Sequence, residues 1–206
     1  MILRMWYQLG FNRKIVLVDD DQSGIPNSIG RLTSVTNGVS TTNYLGFDPM
    51  GRVTGSSQTT GSVSGNFGYT YTLAGELNTL TYPSGRTLTM TYDGENRVGT
   101  ITGKATPTSS VVTYASGPSS NIHYTAHGAV DQLKLGNGLF EQTAFNSLLQ
   151  PTAVNLGTTL GAHDVWGISN GYAAAGHNNG NLLSQQVFAT GMGAVTETFL
   201  YDALNR

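Results

Sequence analysis

Cysteine is missing from all 206 residues of the chain, which removes disulfide, zinc-thiolate and thiol chemistry together and leaves the redox compartment open. Charge is scarce as well: 11% of the residues are Asp, Glu, Lys or Arg, against roughly a quarter in ordinary soluble domains. The ten basic and twelve acidic residues leave a net charge of -2 and form no polybasic patch, so neither nucleic acid nor an anionic membrane surface is expected as a partner. No apolar run approaches the ~20 residues of a membrane-spanning helix. Arg4 interrupts the apolar start before a signal-peptide core could form, and membrane insertion is not expected. No helix-period run of useful length is present either, and localisation cannot be read from these residues.

What fills the chain instead is Thr, Ser, Asn and 27 glycines, with aromatics at 9%. That mixture predicts an all-β chain with many tight turns. Thr79 to Val98 (TLTYPSGRTLTMTYDGENRV) is its clearest stretch. Leu88, Met90 and Tyr92 fall on one face of an extended segment and Thr87, Thr89 and Thr91 on the other. Pro83-Ser84-Gly85 provides a hairpin turn, and Asp93 with Asn96 provides the next one.

The same unit recurs. Gly30, Gly51, Gly75, Asn96, Gly128, Leu149, Gly180 and Asn205 form its reference column, and seven of the eight are Gly or Asn, the types that enter positive φ most readily. Four places upstream stand Pro26, Phe47, Tyr71, Tyr92, Tyr124, Phe145, Gly176 and Tyr201, six of them aromatic. One place downstream stand Arg31, Arg52, Glu76, Arg97, Ala129, Gln150, Asn181 and Arg206. Separations of 21, 24, 21, 32, 21, 31 and 25 residues fit two strands and two turns with insertions. Asn37-Gly38, Pro83-Ser84-Gly85 and Asn137-Gly138 mark the second turn. The insertions, Thr54 to Asn66, Thr106 to Asn121 and Gly157 to Asn179, have the composition of loops. Residues 1–24 read as an irregular N-terminal segment, with a degenerate repeat at Tyr7 to Arg13 and a short strand at Lys14 to Val18. Residues 25–206 form the repeat region, which stops inside its last motif. In each unit the aromatic anchors a strand end, the Asp or its substitute caps the turn, and the Arg pairs with that Asp or covers the aromatic. One unit cannot bury its own apolar face, so neighbours must stack.

Several residues invite a functional reading. Asp19-Asp20-Asp21-Gln22-Ser23-Gly24 begins like a calcium loop, but Gly30 stands where the bidentate Glu belongs, so a solvated acidic turn is expected. His123 and His127 have metal-binding spacing only on a helix. With Tyr124 as anchor and Gly128 as turn, the segment is extended and the two rings diverge. His163-Asp164 and His177 lie in an insertion with no nucleophile or third ligand. Gly61 to Gly65 has the spacing of a nucleophile elbow, with Val63 at the nucleophile position. Tyr44, Trp6, Trp166 and Tyr172 are open to sugar stacking if exposed, while the repeat tyrosines are expected to pack. No catalytic, cofactor-binding or metal-ligating residue is expected, and the chain is read as non-enzymatic.

Tyr92 to Val98 (YDGENRV), Phe47 to Thr54 (FDPMGRVT), Tyr201 to Arg206 (YDALNR) and Asn178 to Gln185 (NNGNLLSQ) resemble the bacterial RHS, or YD-repeat, family across about residues 25 to 206. That resemblance implies repetitive antiparallel β-hairpins in a curved, spiralling sheet, here an open segment of a β-shell. It implies a secreted or cell-surface setting and, as partner, a polypeptide cargo such as a toxin or further repeats of a longer chain. Bacterial members enclose a C-terminal toxic domain and animal members act in adhesion, so carbohydrate or cell-surface binding stands as the alternative. Eight units are too few to close such a shell, and a partial chain is the expectation. Alone, it is expected to associate through its unpaired edges and to show a β-rich circular dichroism spectrum.

Overall fold

The computed structural model describes residues 24–202 and 204 in full, and Trp6–Leu9 and Arg13–Asp19 by their backbone. The acidic stretch 20–23, the Trp6 side chain, residues 10–12 of the degenerate repeat together with the side chains of its other residues, and Asn205 with Arg206 lie outside the described residues. The described residues form 17 strands and no helix. β1 (Trp6–Leu9), β2 (Arg13–Asp19), β3 (Leu32–Thr36), β4 (Ser40–Phe47), β5 (Val53–Thr60), β6 (Val63–Tyr71), β7 (Leu77–Thr81) and β8 (Thr87–Tyr92) make a meander in which each strand runs antiparallel to the one before. After β9 (Val98–Lys104), β10 (Val112–Ser116) and β11 (His123–Tyr124) come β12 (Val130–Leu135), β13 (Phe140–Phe145), β14 (Pro151–Gly157), β15 (Trp166–Tyr172), β16 (Leu182–Ala189) and β17 (Val195–Thr198), where β12 to β17 meander in the same way. The architecture is all-β and antiparallel. The chain divides into two compact units, residues 1–90 with 103–111 and residues 91–102 with 112–206.

Register in the first unit sorts the residues by face, because directly opposed residues share one. Four rows run across β4 to β8: Thr41–Thr59–Ser64, Asn43–Ser57–Asn66, Gly46–Gly55–Gly68–Thr81–Thr87 and Thr70–Thr79–Thr89. Every member is Thr, Ser, Asn or Gly. Their hydroxyls link across strands, Thr70 to Thr79 at 2.6 Å and Thr59 to Ser64 at 2.9 Å. The opposite face carries Tyr44–Ser56–Phe67 and Tyr69–Leu80–Leu88, as the alternation around Leu88 predicts. A single layer shields little: among the described hydrophobic residues only Phe47 and Ile122 are buried, at 6% and 8% exposure.

Composition misleads at Thr54 to Asn66, which is strand and not loop: it lies in β5 and β6, joined by a tight turn at Gly61. Ladder hydrogen bonds come from the backbone, so small polar residues extend the hairpin as well as apolar ones do. The spacing of 24 in that repeat reflects longer strands. The other two insertions likewise contain β10 and β15.

All seven described members of the reference column have positive φ, from 61° at Asn96 to 109° at Gly75, and the series includes Leu149 at 63°. The loop type explains this. At Asp48, Thr72, Asp93, Thr125 and Asn146 the residue's carbonyl accepts from the N–H three positions on, and its own N–H donates to the carbonyl four positions on. This is a type I turn followed by a left-handed residue. An L-residue there costs roughly 1–2 kcal/mol, and the Leu149 side chain is 56% exposed, so it recovers little by packing. Leu149→Gly should therefore stabilise the protein by about 1 kcal/mol, seen as a higher urea midpoint at unchanged m-value.

Candidate functional site

The aromatic, Asp and Arg columns converge on one repeated arrangement. Asp48 Oδ1 accepts from the N–H groups of Met50 and Arg52 at 2.9 Å each, and Oδ2 from Arg52 Nε at 2.6 Å. Asp93 repeats this with Glu95, Arg97 and the Arg97 Nε at 3.0, 2.9 and 2.8 Å. Thr72 and Asn146 serve as uncharged versions, bonded to Glu76 and Gln150 in place of Arg. The aspartates cap turns.

Each Arg then reaches past its own hairpin. The Arg52 guanidinium lies 4.6 Å from the centroid of Tyr71, the aromatic of the following repeat, and donates to Thr72 O at 3.1 Å. Arg97 covers Tyr124 at 4.7 Å, and Arg31 covers Phe47 at 5.6 Å. In return the tyrosine hydroxyl bonds back to the preceding repeat: Tyr71 to Val53 O at 2.8 Å and Tyr124 to Val98 O at 2.9 Å. Tyr172 to Pro151 O at 3.3 Å and Tyr201 to Leu182 O at 2.9 Å complete the series. Each acceptor stands two places after a reference-column residue. The arrangement is an inter-repeat clamp of turn cap, guanidinium, ring and carbonyl.

The clamp sets its own electrostatics. The Arg97 backbone N–H, and then its guanidinium, hold the Asp93 carboxyl below its ordinary value of 3.8. At Asp48 burial pushes upward, but the bonds from Arg52 and Met50 outweigh it and the net direction is down. Burial pushes the Tyr71 and Tyr124 phenols up, which keeps them protonated as donors. A carboxylate with a depressed folded value contributes stability above its unfolded value and loses it as pH falls through the folded one. The melting temperature should therefore hold from neutral pH to about 4 and decline below it. An Asp48→Asn, Asp93→Asn double variant should start lower and decline less over that interval.

One anchor in the sequence alignment is misplaced. Gly176 stands in the aromatic column when Gly180 is the reference residue, but both glycines have positive φ, 86° and 97°. The aromatic that makes the clamp bond is Tyr172, four residues before Gly176. Beyond it, Gln150 Nε2 donates to Asn178 Oδ1 at 3.3 Å and Asn178 Nδ2 to Gln150 Oε1 at 2.6 Å, an amide pair in place of guanidinium and ring.

The remaining candidates are dispersed. His123 bonds Asp131 through Nδ1, while the His127 ring stands edge-on to Phe145 with centroids 4.9 Å apart, so the pair diverges. His163 packs edge-on to Phe188 at 5.4 Å. Asp164 accepts from the Thr158 hydroxyl at 2.6 Å and N–H at 2.8 Å, which holds its carboxyl low. The His177 N–H closes a turn on Ala174 O at 3.0 Å. Tyr44 packs near Phe47, with centroids 6.3 Å apart, and Trp166 opens β15 between Leu156 and Ala189. Among the described residues no three His, Asp or Glu side chains stand close enough to hold a metal. An open groove of about 620 Å³ between Ser64–Gly68 and Thr81–Gly85 is lined by Phe67 and Tyr82 but by no acid, base or nucleophile pair.

No family model and no curated protein sequence matches the chain. Its fold, however, is shared with solved toxin structures. A Photorhabdus luminescens Tc holotoxin pore carrying a mutant TccC3 superposes over 98% of this chain and 11% of its own at a TM-score of 0.77 and 14% identity. Crystal structures of TcdB2-TccC3 (93% and 10%, TM-score 0.76, 14% identity) and of TcdB2-TccC3-Cdc42 (96% and 10%, TM-score 0.74, 13% identity) do likewise. At these identities the likeness is one of fold, and the chain spans about a tenth of the length of each of these neighbours.

Proposed function

We propose that this chain is a strip of wall in a larger RHS-type β-shell and that its role is to enclose a polypeptide without chemistry of its own. The observation that carries this reading is the inter-repeat clamp. Asp48, Arg52 and Tyr71, and again Asp93, Arg97 and Tyr124, residue types a catalytic site would use, are spent on capping turns and joining one hairpin to the next, which suits a sheet extended by repetition. The toxin neighbours share this fold, and the coarse inference of a structural, encapsulating part rests on that likeness.

The two faces of β4 to β8 suggest which side meets the cargo. The face of Thr, Ser, Asn and Gly carries no fixed charge and, apart from Leu45 beside Gly55, little apolar surface for an unfolded chain to adhere to, so it can hold a chain without binding it. The opposite face has the aromatics and Leu80 and Leu88, as a side that packs or faces outward would. This chain has no cysteine, so single cysteines placed in it report the two faces once any cysteine elsewhere in the longer protein is replaced. Asn66→Cys and Gln58→Cys replace exposed residues on opposite faces. In the intact parent protein a bulky maleimide should label Gln58→Cys natively and Asn66→Cys only after unfolding. Equal labelling of both in the native particle would count decisively against an enclosing wall.

A further inference from the structure

Four Asn-Gly pairs occur in the chain, at 37–38, 137–138, 170–171 and 179–180, and the structure places them in unequal surroundings. We propose that Asn37 is a site of spontaneous backbone-assisted deamidation, selected by the geometry of the β3–β4 turn over the other three. In this reaction the Gly38 nitrogen attacks the Asn37 side-chain carbon, a C–N bond forms, and the nitrogen's proton leaves with the side-chain amide as ammonia. Water then opens the resulting five-membered imide at either carbonyl, giving Asp or isoaspartate. The net change is amide plus water to carboxylic acid plus ammonia, with no oxidant or reductant.

Two features of the turn favour Asn37. Its amide oxygen accepts from two backbone N–H groups, Val39 at 3.1 Å and Ser40 at 2.8 Å. These donors polarise the carbon under attack and stabilise the oxyanion that attack creates. The attacking nitrogen is also loosely held, since the Gly38 N–H reaches only the Thr36 hydroxyl, at 3.4 Å. Asn37 and Gly38 are both exposed, and Gly38 has φ of 81°.

The other pairs each lack part of this. Asn137 has one amide-oxygen donor, Leu139 N–H at 3.1 Å, and the Gly138 N–H is committed to Leu135 O at 2.9 Å. Asn179 accepts from Asn181 N–H at 3.1 Å, and the Gly180 N–H is committed to Asn178 Oδ1 at 2.9 Å. Asn170 lies within β15, opposite Gln185. Its Nδ2 donates to Pro151 O at 2.9 Å, its Oδ1 accepts from Gln185 at 3.0 Å, and Gly171 faces Ser184 in the ladder. Extended and doubly bonded, it is the protected member. The Asp product at 37 keeps the two N–H bonds and adds one negative charge. The isoaspartate product lengthens the turn by one backbone carbon and disturbs the Thr36–Thr41 pairing.

The test is peptide mapping by mass spectrometry of the native protein held at mildly alkaline pH, with fragmentation that separates Asp from isoaspartate. A parallel sample is held in denaturant. Natively, conversion at Asn37 should exceed that at Asn137 and Asn179 by at least about tenfold, with Asn170 slowest, and in denaturant the four rates should draw together. Equal native rates, or Asn137 or Asn179 reacting first, would overturn the proposal. So would an excess at Asn37 that persists in denaturant, because the cause would then be neighbouring sequence and not the turn.

Discussion

Phe47→Ala is expected to lower the free energy of unfolding by about 3 kcal/mol, the lower part of the range for removing a buried aromatic ring. The choice of the lower part follows from the architecture: a single-layer sheet can relax around the lost ring more easily than a close-packed interior can. Phe47 is nevertheless the aromatic with the most to lose. The residue is 6% exposed, and its ring lies 5.6 Å from the Arg31 guanidinium and 6.3 Å from the ring of Tyr44. Its backbone holds the preceding turn as well, with its N–H donating to Pro26 O at 3.0 Å and its carbonyl accepting from Asn27 at 2.8 Å. Removing the ring takes away the surface that fixes residues 26–31 against the end of β4. Tyr71→Phe is the calibrating control, because it keeps the ring under Arg52 and deletes only the bond to Val53 O, for a loss of about 1 kcal/mol. Urea unfolding would rank the two, and hydrogen exchange would localise the damage. Contacts in stacked repeats run between neighbours, so protection should fall first in β3 to β5. A Phe47→Ala cost no larger than that of Tyr71→Phe would mean that the ring is not a centre of packing.

How much of this could be read in the sequence depends on whether the determinant is local. Positive φ at the reference column was legible, even at Leu149, because a hairpin loop of fixed length sets the conformation of that position whatever residue fills it. The Asp caps were legible for the same reason: their bonds reach two to four residues. The clamp between repeats was legible only as composition. Its tyrosine hydroxyls reach carbonyls 18, 26, 21 and 19 residues upstream, and which hairpin meets which is a matter of register that spacing does not encode. Tyr172 shows the limit most clearly. Two glycines four residues apart, Gly176 and Gly180, are equally able to close a turn, and only the bond to Pro151 identifies the anchor. The face of Thr, Ser, Asn and Gly was hidden by the reverse problem, because Thr54 to Asn66 lacks the apolar alternation by which strands are recognised.

Gly117→Ala should be more damaging still, about 4 kcal/mol or more, and nothing in the local sequence marks it. The residue is followed by Pro118 and two serines, ordinary loop composition, and its φ lies outside the left-handed region. What forbids a side chain is an encounter downstream. β10 and β11 both pair with β12, Ala115 and Ser116 against Leu135 and Lys134, and His123 and Tyr124 against Gln132 and Val130. They are two halves of one strand position, and residues 117–122 loop out between them. The loop returns so closely that a Cβ on Gly117 would overlap the Asn121 carbonyl. The Gly117 N–H bonds Ser120 O at 3.0 Å, and the returning Ile122 N–H bonds Gly99 O at 2.7 Å. A Cβ on Gly99 would in turn lie 2.8 Å from Asn121 Oδ1, so Asn121 is held between two glycines. Backbone cannot yield as a flexible side chain can. A methyl group at 117 must open the loop and withdraw Ile122, one of the two buried hydrophobics among the described residues, from its place. Gly94→Ala is the matched control: an added Cβ there meets nothing within 4 Å, and the change should be nearly neutral. Thermal unfolding of the pair decides the matter, since equal melting temperatures would mean that the loop does not close on Gly117.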